Sequence, residues 1–199
     1  MNLLVDVLPT SVMIHDTEYP VNPDFRTFIL FELLMDDDSF EEHEKIILAL
    51  DLFYEVIPED IDKAMEELLW FYRGGKEYSK KQSTVTEPMY SYEHDDEYIY
   101  AAFLQQYNID LQSYDGYKSN QNNYLHWWRF LALFKGLNDS CEFVKIMGYR
   151  SANLSEMSNE QRKYYQKMKQ VYKLPVSDRV KRHENELIKK LMGKEKDSA

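Results

Sequence analysis

The densest run of potential metal ligands in the sequence is Glu93-His94-Asp95-Asp96-Glu97. Carboxylate oxygens and an imidazole nitrogen are donors that a divalent cation takes, but ligands on a helix must sit three or four residues apart to share a face. His94 and Glu97 have that spacing, and two ligands do not close a site. The run therefore reads as the acidic first turn of a helix, complementing the partial positive charge at its N-terminus. Asp36-Asp37-Asp38 gathers three carboxylates without the Gly and terminal Glu of a calcium loop, and reads as a solvated helix end. No metal site is expected.

The remaining chemistry-bearing residues are equally sparse. His126 beside Trp127-Trp128 has the composition of a stacking platform for bases or sugars. Adjacent tryptophans on one helix point to different sides, so the pair is expected in the core, with His126 hydrogen-bonded or exposed. Cys141 stands alone, without a second cysteine or a base at useful spacing, and is expected to be a buried structural thiol. Gly74-Gly75-Lys76 lacks the rest of a phosphate-binding loop, and no dinucleotide fingerprint, nucleophile elbow, zincin helix or paired-cysteine zinc pattern occurs. The expectation is a binding protein with no catalytic residues, no cofactor and no metal.

The elements that would carry these residues are mostly helices. Near the N-terminus, Ser11-Val12-Met13-Ile14-His15, then Asp16-Thr17-Glu18, then Tyr19-Pro20-Val21 predicts a short β-hairpin, with Leu3 to Val7 as a possible third strand. Asn22-Pro23-Asp24 has the chemistry of a helix start, leading into Phe25, Phe28, Ile29, Phe31 and Leu33. Ser39 to Glu42 fits a capping box before a helix bearing Ile46, Ile47, Leu50, Phe53 and Tyr54. Ile61, Ala64, Met65, Leu68, Leu69 and Tyr72 recur at helical spacing, and Gly74-Gly75 stops that helix. Ser91 or Glu93 starts a helix through Tyr98, Ile99, Ala102 and Phe103, ending at Asn108. Residues 124–136 carry Leu125, Trp127, Trp128, Phe130, Leu131, Leu133 and Phe134, apolar nearly all round and so expected at the centre.

A short helix over 140–147, with Phe143, Val144 and Met147, is expected to end at Gly148. Ser158 to Gln161 is another capping box, opening a helix with Tyr164, Met168, Val171 and Tyr172 along one face and Pro175 at its end. A last charged helix shows a thin apolar face of Val180, Leu187, Ile188 and Leu191. The fold class is mainly α, a compact helical domain of about six to eight helices with a short N-terminal β-hairpin. It spans residues 1–175, with exposed linkers at 76–89 and 112–123, followed by a charged helical tail at 176–199.

Charge is divided along the chain. Residues 1–157 hold 12 Lys and Arg against 29 Asp and Glu, whereas residues 158–199 hold 12 against 6. An acidic body repels phosphate backbones, so nucleic-acid binding by the body is not expected. The basic C-terminal part reads first as a solvated helix face, with a contact for RNA, DNA or an acidic protein as the alternative. A single cysteine excludes an intramolecular disulfide, which fits a reducing compartment. The sequence starts without a basic n-region and reaches Pro9 after a short apolar run, unlike a signal peptide, and no apolar stretch is long enough to span a bilayer. Host cytoplasm is the expected location, with no membrane partner.

Several strings then point to one family. They are Tyr19-Pro20-Val21-Asn22 with Phe25-Arg26-Thr27-Phe28, Leu68-Leu69-Trp70-Phe71-Tyr72-Arg73, Tyr98-Ile99-Tyr100-Ala101-Ala102-Phe103-Leu104 with Asn108-Ile109-Asp110-Leu111, Tyr124-Leu125-His126-Trp127-Trp128-Arg129-Phe130, and Phe143-Val144-Lys145-Ile146-Met147-Gly148-Tyr149-Arg150. In this order, over about residues 1–175, they resemble the "gene product fifteen" family of siphophages and prophages of Gram-positive bacteria. The resemblance implies a phage tail-assembly chaperone that coats the tape-measure protein, recruits tail-tube subunits and is absent from the mature virion. A second tail chaperone, or a second copy of the chain in a homo-oligomer, is a further expected partner. The resemblance implies no catalytic residues. Tyr164, Met168, Val171, Tyr172, Leu187, Ile188 and Leu191 are the expected partner-binding residues. Two alternatives stand beside this: a permanent minor structural protein of the tail, and a regulatory protein that uses its basic C-terminal segment on nucleic acid.

Overall fold

The computed structural model describes residues 2–77, 88–117, 123–155 and 157–175. Among them a two-stranded antiparallel hairpin, β1 (Ser11–Ile14) and β2 (Thr17–Pro20), precedes seven helices. These are α1 (Phe25–Asp36), α2 (Glu42–Phe53), α3 (Ile61–Tyr72), α4 (Asp96–Tyr107), α5 (Trp127–Lys135), α6 (Glu142–Ser151) and α7 (Asn159–Val171). The mainly helical fold with its N-terminal hairpin is as the sequence predicts.

The hairpin turns on two residues, not on the expected 16–18. Ile14 pairs with Thr17, and His15 and Asp16 take positive φ of 46° and 63°. That left-handed pair matches the strand twist, and it draws Thr17 and Glu18 into β2. Val12 and Ile14 face inward and Met13 outward, the period-two alternation of a half-buried strand. The expected third strand over Leu3 to Val7 is a turn instead. The backbone N–H groups of Val5 and Asp6 donate to the Asn2 carbonyl, and the Asp6 carboxylate accepts from the Asn2 backbone at 2.6 Å.

Five rings form the spine of the core. Phe71 (α3), Phe28 (α1), Trp127 and Phe130 (α5) and Phe103 (α4) follow one another with centroids 5.5, 5.0, 5.5 and 4.9 Å apart and interplanar angles of 4°, 21°, 13° and 9°. Near-parallel offset rings at these distances add directional attraction to the area they bury. The expectation that α5 lies at the centre is met by its N-terminal half. Leu131, Leu133 and Phe134 are only half-buried.

Several boundaries differ from the sequence reading, those of α1 and α5 because a tertiary contact claims the backbone. α1 begins after Asp24, not at Asn22. The Asn22 N–H donates to Phe53 O at 2.7 Å, Pro23 O accepts from Trp127, and Asp24 Oδ1 caps the helix by accepting from Arg26 N. α5 begins at Trp127 instead of 124, since Leu125 O accepts from Phe25 N at 2.9 Å. At α2, Glu41 takes the cap position in place of Ser39, and Glu44 accepts from its backbone N–H. α2 is also rotated from its expected face. Ile46 and Ile47 are 36% and 50% exposed, and Lys45 turns inward so that Nζ donates to Met35 O at 2.7 Å. Met35 lies in the last turn of α1, whose carbonyls have no helical donor of their own, and a lysine stem can lie along the apolar surface to reach one.

Gly148 does not end α6, which runs on to Ser151. One glycine inside a helix costs only about 1 kcal/mol, and Arg150 beyond it is firmly held, as shown below. At α3 the glycines do stop the helix. Gly74 and Gly75 have φ of +71° and +73°, and their N–H groups return to Phe71 O and Trp70 O.

Residues 76, 77, 88 and 89 of the expected first linker are exposed, and its middle lies outside the described residues. The second connection is tied down at its start: Arg26 Nη2 donates to Leu111 O at 3.0 Å and Tyr114 O at 2.8 Å. The expected tail helix over 176–199 lies outside the described residues. Among the described residues, no helix is long and apolar enough to cross a membrane.

Candidate interaction surface

α7 is the least covered helix. It opens with the predicted capping box, in which Ser158 Oγ accepts from Gln161 N and Gln161 Oε1 accepts from Ser158 N. None of its residues is fully buried. Arg162 is spent on the preceding loop, donating to Leu154 O at 3.2 Å. Tyr165 and Tyr172 turn toward α6, where Tyr149 meets them at 5.8 Å each, the second as a near-parallel stack at 15°. Tyr164 lies across the rim, its hydroxyl 3.2 Å from that of Tyr149. That shared hydrogen bond, more than desolvation, pushes the Tyr149 phenol up to about 12.

Arg150 holds this end of the molecule together. Its guanidinium forks onto Asp95, with Nη1–Oδ2 at 2.6 Å and Nη2–Oδ1 at 2.9 Å, while Nε donates to Tyr172 O at 2.6 Å and Nη1 to Met89 O at 3.1 Å. One side chain thereby joins the entry of α4, the end of α6 and the end of α7. Asp95 is 1% exposed as a side chain and Arg150 11%, so the pair is nearly dry. The expected role of Asp95 as one charge in an acidic first turn is overturned. Its carboxylate accepts from Arg150 and from Ser91 N rather than from the first amides of α4, which begins only at Asp96.

The other chemistry-bearing residues are structural. His126 is the cap of α5: Nδ1 accepts from Trp128 N at 3.0 Å, and Nε2 lies 2.9 Å from Pro9 O. Burial drives its pKa down to about 4, so the ring is neutral and Nε2 carries the proton that Pro9 O accepts. Trp127 and Trp128 point apart yet serve one purpose, donating to carbonyls at the end of α3: Tyr72 O at 2.8 Å and Phe71 O at 2.7 Å, the latter shared with the Gly74 N–H. Cys141 is fully buried at the cap position of α6, its thiol toward Gln106 and Ala102. His94 is partly exposed, 3.6 Å from Glu93. Among the described residues, no group of three or more His, Cys, Asp or Glu is placed to hold a metal ion.

The model of the family described as Bacteriophage Gp15 protein matches residues 4–174. The chain belongs to the bacteriophage Gp15 protein family. The matched stretch of this Gp15-family chain takes in the hairpin and all seven described helices, α7 included. Neither the curated proteins nor the solved structures yield a match.

Of the expected partner-binding residues, Tyr164 and Val171 are open, at 50% and 61% exposure. Met168 and Tyr172 are half-buried, and the Tyr172 ring is used against Tyr149. Leu187, Ile188 and Leu191 lie outside the described residues. Sequence reasoning missed Tyr149, Tyr165 and Arg150. The signal for the tyrosines was their spacing, since Tyr165 and Tyr172 lie seven residues apart on one helical row. Nothing local to Arg150 announces a partner 55 positions away.

Proposed function

We propose that this Gp15-family protein is a tail-assembly chaperone, a binding protein without a catalytic role. It engages the phage tape-measure protein, helps recruit tail-tube subunits in the host cytoplasm, and leaves before the virion is complete. The observation that carries the reading is membership of a phage family over residues 4–174, in a chain whose last described helix keeps Tyr164 and Val171 uncovered. A chaperone for a long helical client needs such an apolar face together with a charged surface that keeps the complex dissolved. The buried titratable groups support a non-enzymatic role. Asp95 and His126 are each committed to main-chain or guanidinium partners.

Co-expression with the tape-measure protein of the same phage tests the reading. The client should move from the pellet to the soluble fraction, and mass spectrometry of purified virions should find no copy of this chain. A client equally insoluble with and without the chain refutes it. A chain retained in stoichiometric amount in virions makes it a tail component instead.

A further inference from the structure

The charge of α7 opposes that of the body beneath it. Between Asn159 and Val171 the helix carries Arg162, Lys163, Lys167 and Lys169 against Glu160, and Lys173 follows. Residues 1–157 carry 12 Lys and Arg against 29 Asp and Glu. A basic helix on an acidic protein would ordinarily be neutralised by that protein. Among the described residues, however, none of Lys163, Lys167, Lys169 and Lys173 takes part in an ion pair, whereas Lys63 pairs with Glu66 and Lys145 with Glu142. Lys163, Lys167 and Lys173 are exposed.

The same stripe of helix presents apolar surface. Tyr164, Lys167 and Val171 lie three and four residues apart, on one row about 10 Å long. Tyr164 and Val171 are 50% and 61% exposed, and half-buried Met168 lies between them. The inner row, Tyr165 with Tyr172, is already occupied by Tyr149. The outer row therefore offers two apolar contacts about two turns apart, with ammonium groups beside and between them.

We infer that the outer face of α7 docks an acidic amphipathic helix of a partner protein, one whose apolar residues recur at seven-residue spacing and are flanked by Glu or Asp. Charge complementarity selects the sign, and Tyr164 and Val171 select a helix with a narrow apolar stripe. Nucleic acid fits the lysines less well. A phosphate backbone would leave Val171 without an apolar contact. The inference holds whether or not the partner belongs to a phage tail.

The full-length chain can be titrated into three fluorescently labelled probes: an 18-residue Glu/Leu amphipathic helix, its Lys/Leu counterpart and an 18-base-pair DNA duplex. Anisotropy is read at low and at moderate salt. The acidic helix should bind and weaken with salt, and the basic helix should not bind. The double reversal Lys163→Glu/Lys167→Glu should weaken the acidic helix about tenfold, since two exposed attractions become repulsions. Lys135→Glu, a single reversal of the same kind on exposed α5 surface, should leave affinity within about twofold, and circular dichroism should show all variants folded. Val171→Asp should also weaken binding, without depending on the lysines. The inference is overturned by no binding of the acidic helix, by equal binding of the basic one, by tighter binding of DNA, or by Lys135→Glu weakening it as much as the double reversal. A chain that is already a dimer and is split by Lys163→Glu/Lys167→Glu would overturn it in favour of a second copy.

Discussion

Replacing Arg150 tests how the candidate surface is held. The guanidinium is the only described cation on Asp95, both side chains are almost wholly removed from water, and the same group closes onto Tyr172 O and Met89 O. Removing one partner of a buried ion pair strands the other charge, at a cost of about 3–5 kcal/mol. The Met89 and Tyr172 carbonyls sit where water can replace the donor, so they add little. Arg150→Ala is therefore expected to cost about 3–4 kcal/mol of a total that for a domain of this size is about 5–15 kcal/mol. Arg150→Lys keeps the charge and loses the fork, with an expected cost of about 1–2 kcal/mol. Replacing both partners, Arg150→Met with Asp95→Leu, should recover most of the global stability, since two apolar side chains strand no charge. It should not restore the latch on Tyr172.

The assay is urea unfolding followed through Trp127 and Trp128, both buried in the core, together with amide exchange in α7. Arg150→Ala should lower the midpoint and speed exchange across α7. The paired apolar variant should return the midpoint while α7 stays fast. An Arg150→Ala chain within about 0.5 kcal/mol of the parent, or α7 amides that exchange as slowly as before, would refute the assignment of Arg150 as the latch.

Two further predictions rest on single positions. His126 has a folded pKa of about 4 against an unfolded 6.5, so below 6.5 the unfolded chain takes up the proton first. The stability it supports is full above that value and falls by about 3 kcal/mol as pH drops to 4. Asp24, whose carboxyl burial pushes up, works in the opposite sense, adding stability as pH falls through its raised folded value. His126→Asn keeps a cap acceptor and should flatten the profile of midpoint against pH between 6.5 and 4; an unchanged profile would assign the slope elsewhere. Among the glycines, Gly75→Ala should lower Tm the most. Its φ is +73°, and the added carbon would stand 2.7 Å from Trp128 Cη2, so a cost of about 2 kcal/mol or more is expected. Gly148→Ala should do the reverse, gaining about 0.5–1 kcal/mol, because that position is helical and nothing lies within 4 Å of the new carbon. A calorimetric scan in which both variants shift the same way would contradict this.

Much of the architecture was legible because its causes are local. The apolar spacing of α3, the glycines that close it, and the Ser158–Gln161 box that opens α7 each act within a few residues, and all three appear where the sequence puts them. Most of the errors have a different cause. Asn22 and Gly148 have the local chemistry of helix ends, but Asn22 binds Phe53 and Arg150 beyond Gly148 is gripped by Asp95, whereas Ser39 gives way more locally, to the box that Glu41 makes with Glu44. The candidate surface was half legible. Tyr164 and Val171 follow from their spacing in the sequence, whereas the use of Tyr172 against Tyr149 required two helices to meet.

By itself, the sequence determined the class of this protein: a helical chain with a small hairpin, an acidic body, a basic C-terminal part and motifs that place it in a phage family. Those properties follow from periodicity, composition and short strings, which fold or count the same way wherever the chain is read. Only the tertiary structure decided what the polar residues are for. Asp95 serves a buried arginine, His126 and the two tryptophans satisfy helix ends, and Lys163 and Lys167 of α7 are exposed without an ion pair among the described residues. Burial and pairing depend on which distant segment arrives, and a charge acquires its role from the neighbour that the fold supplies or withholds.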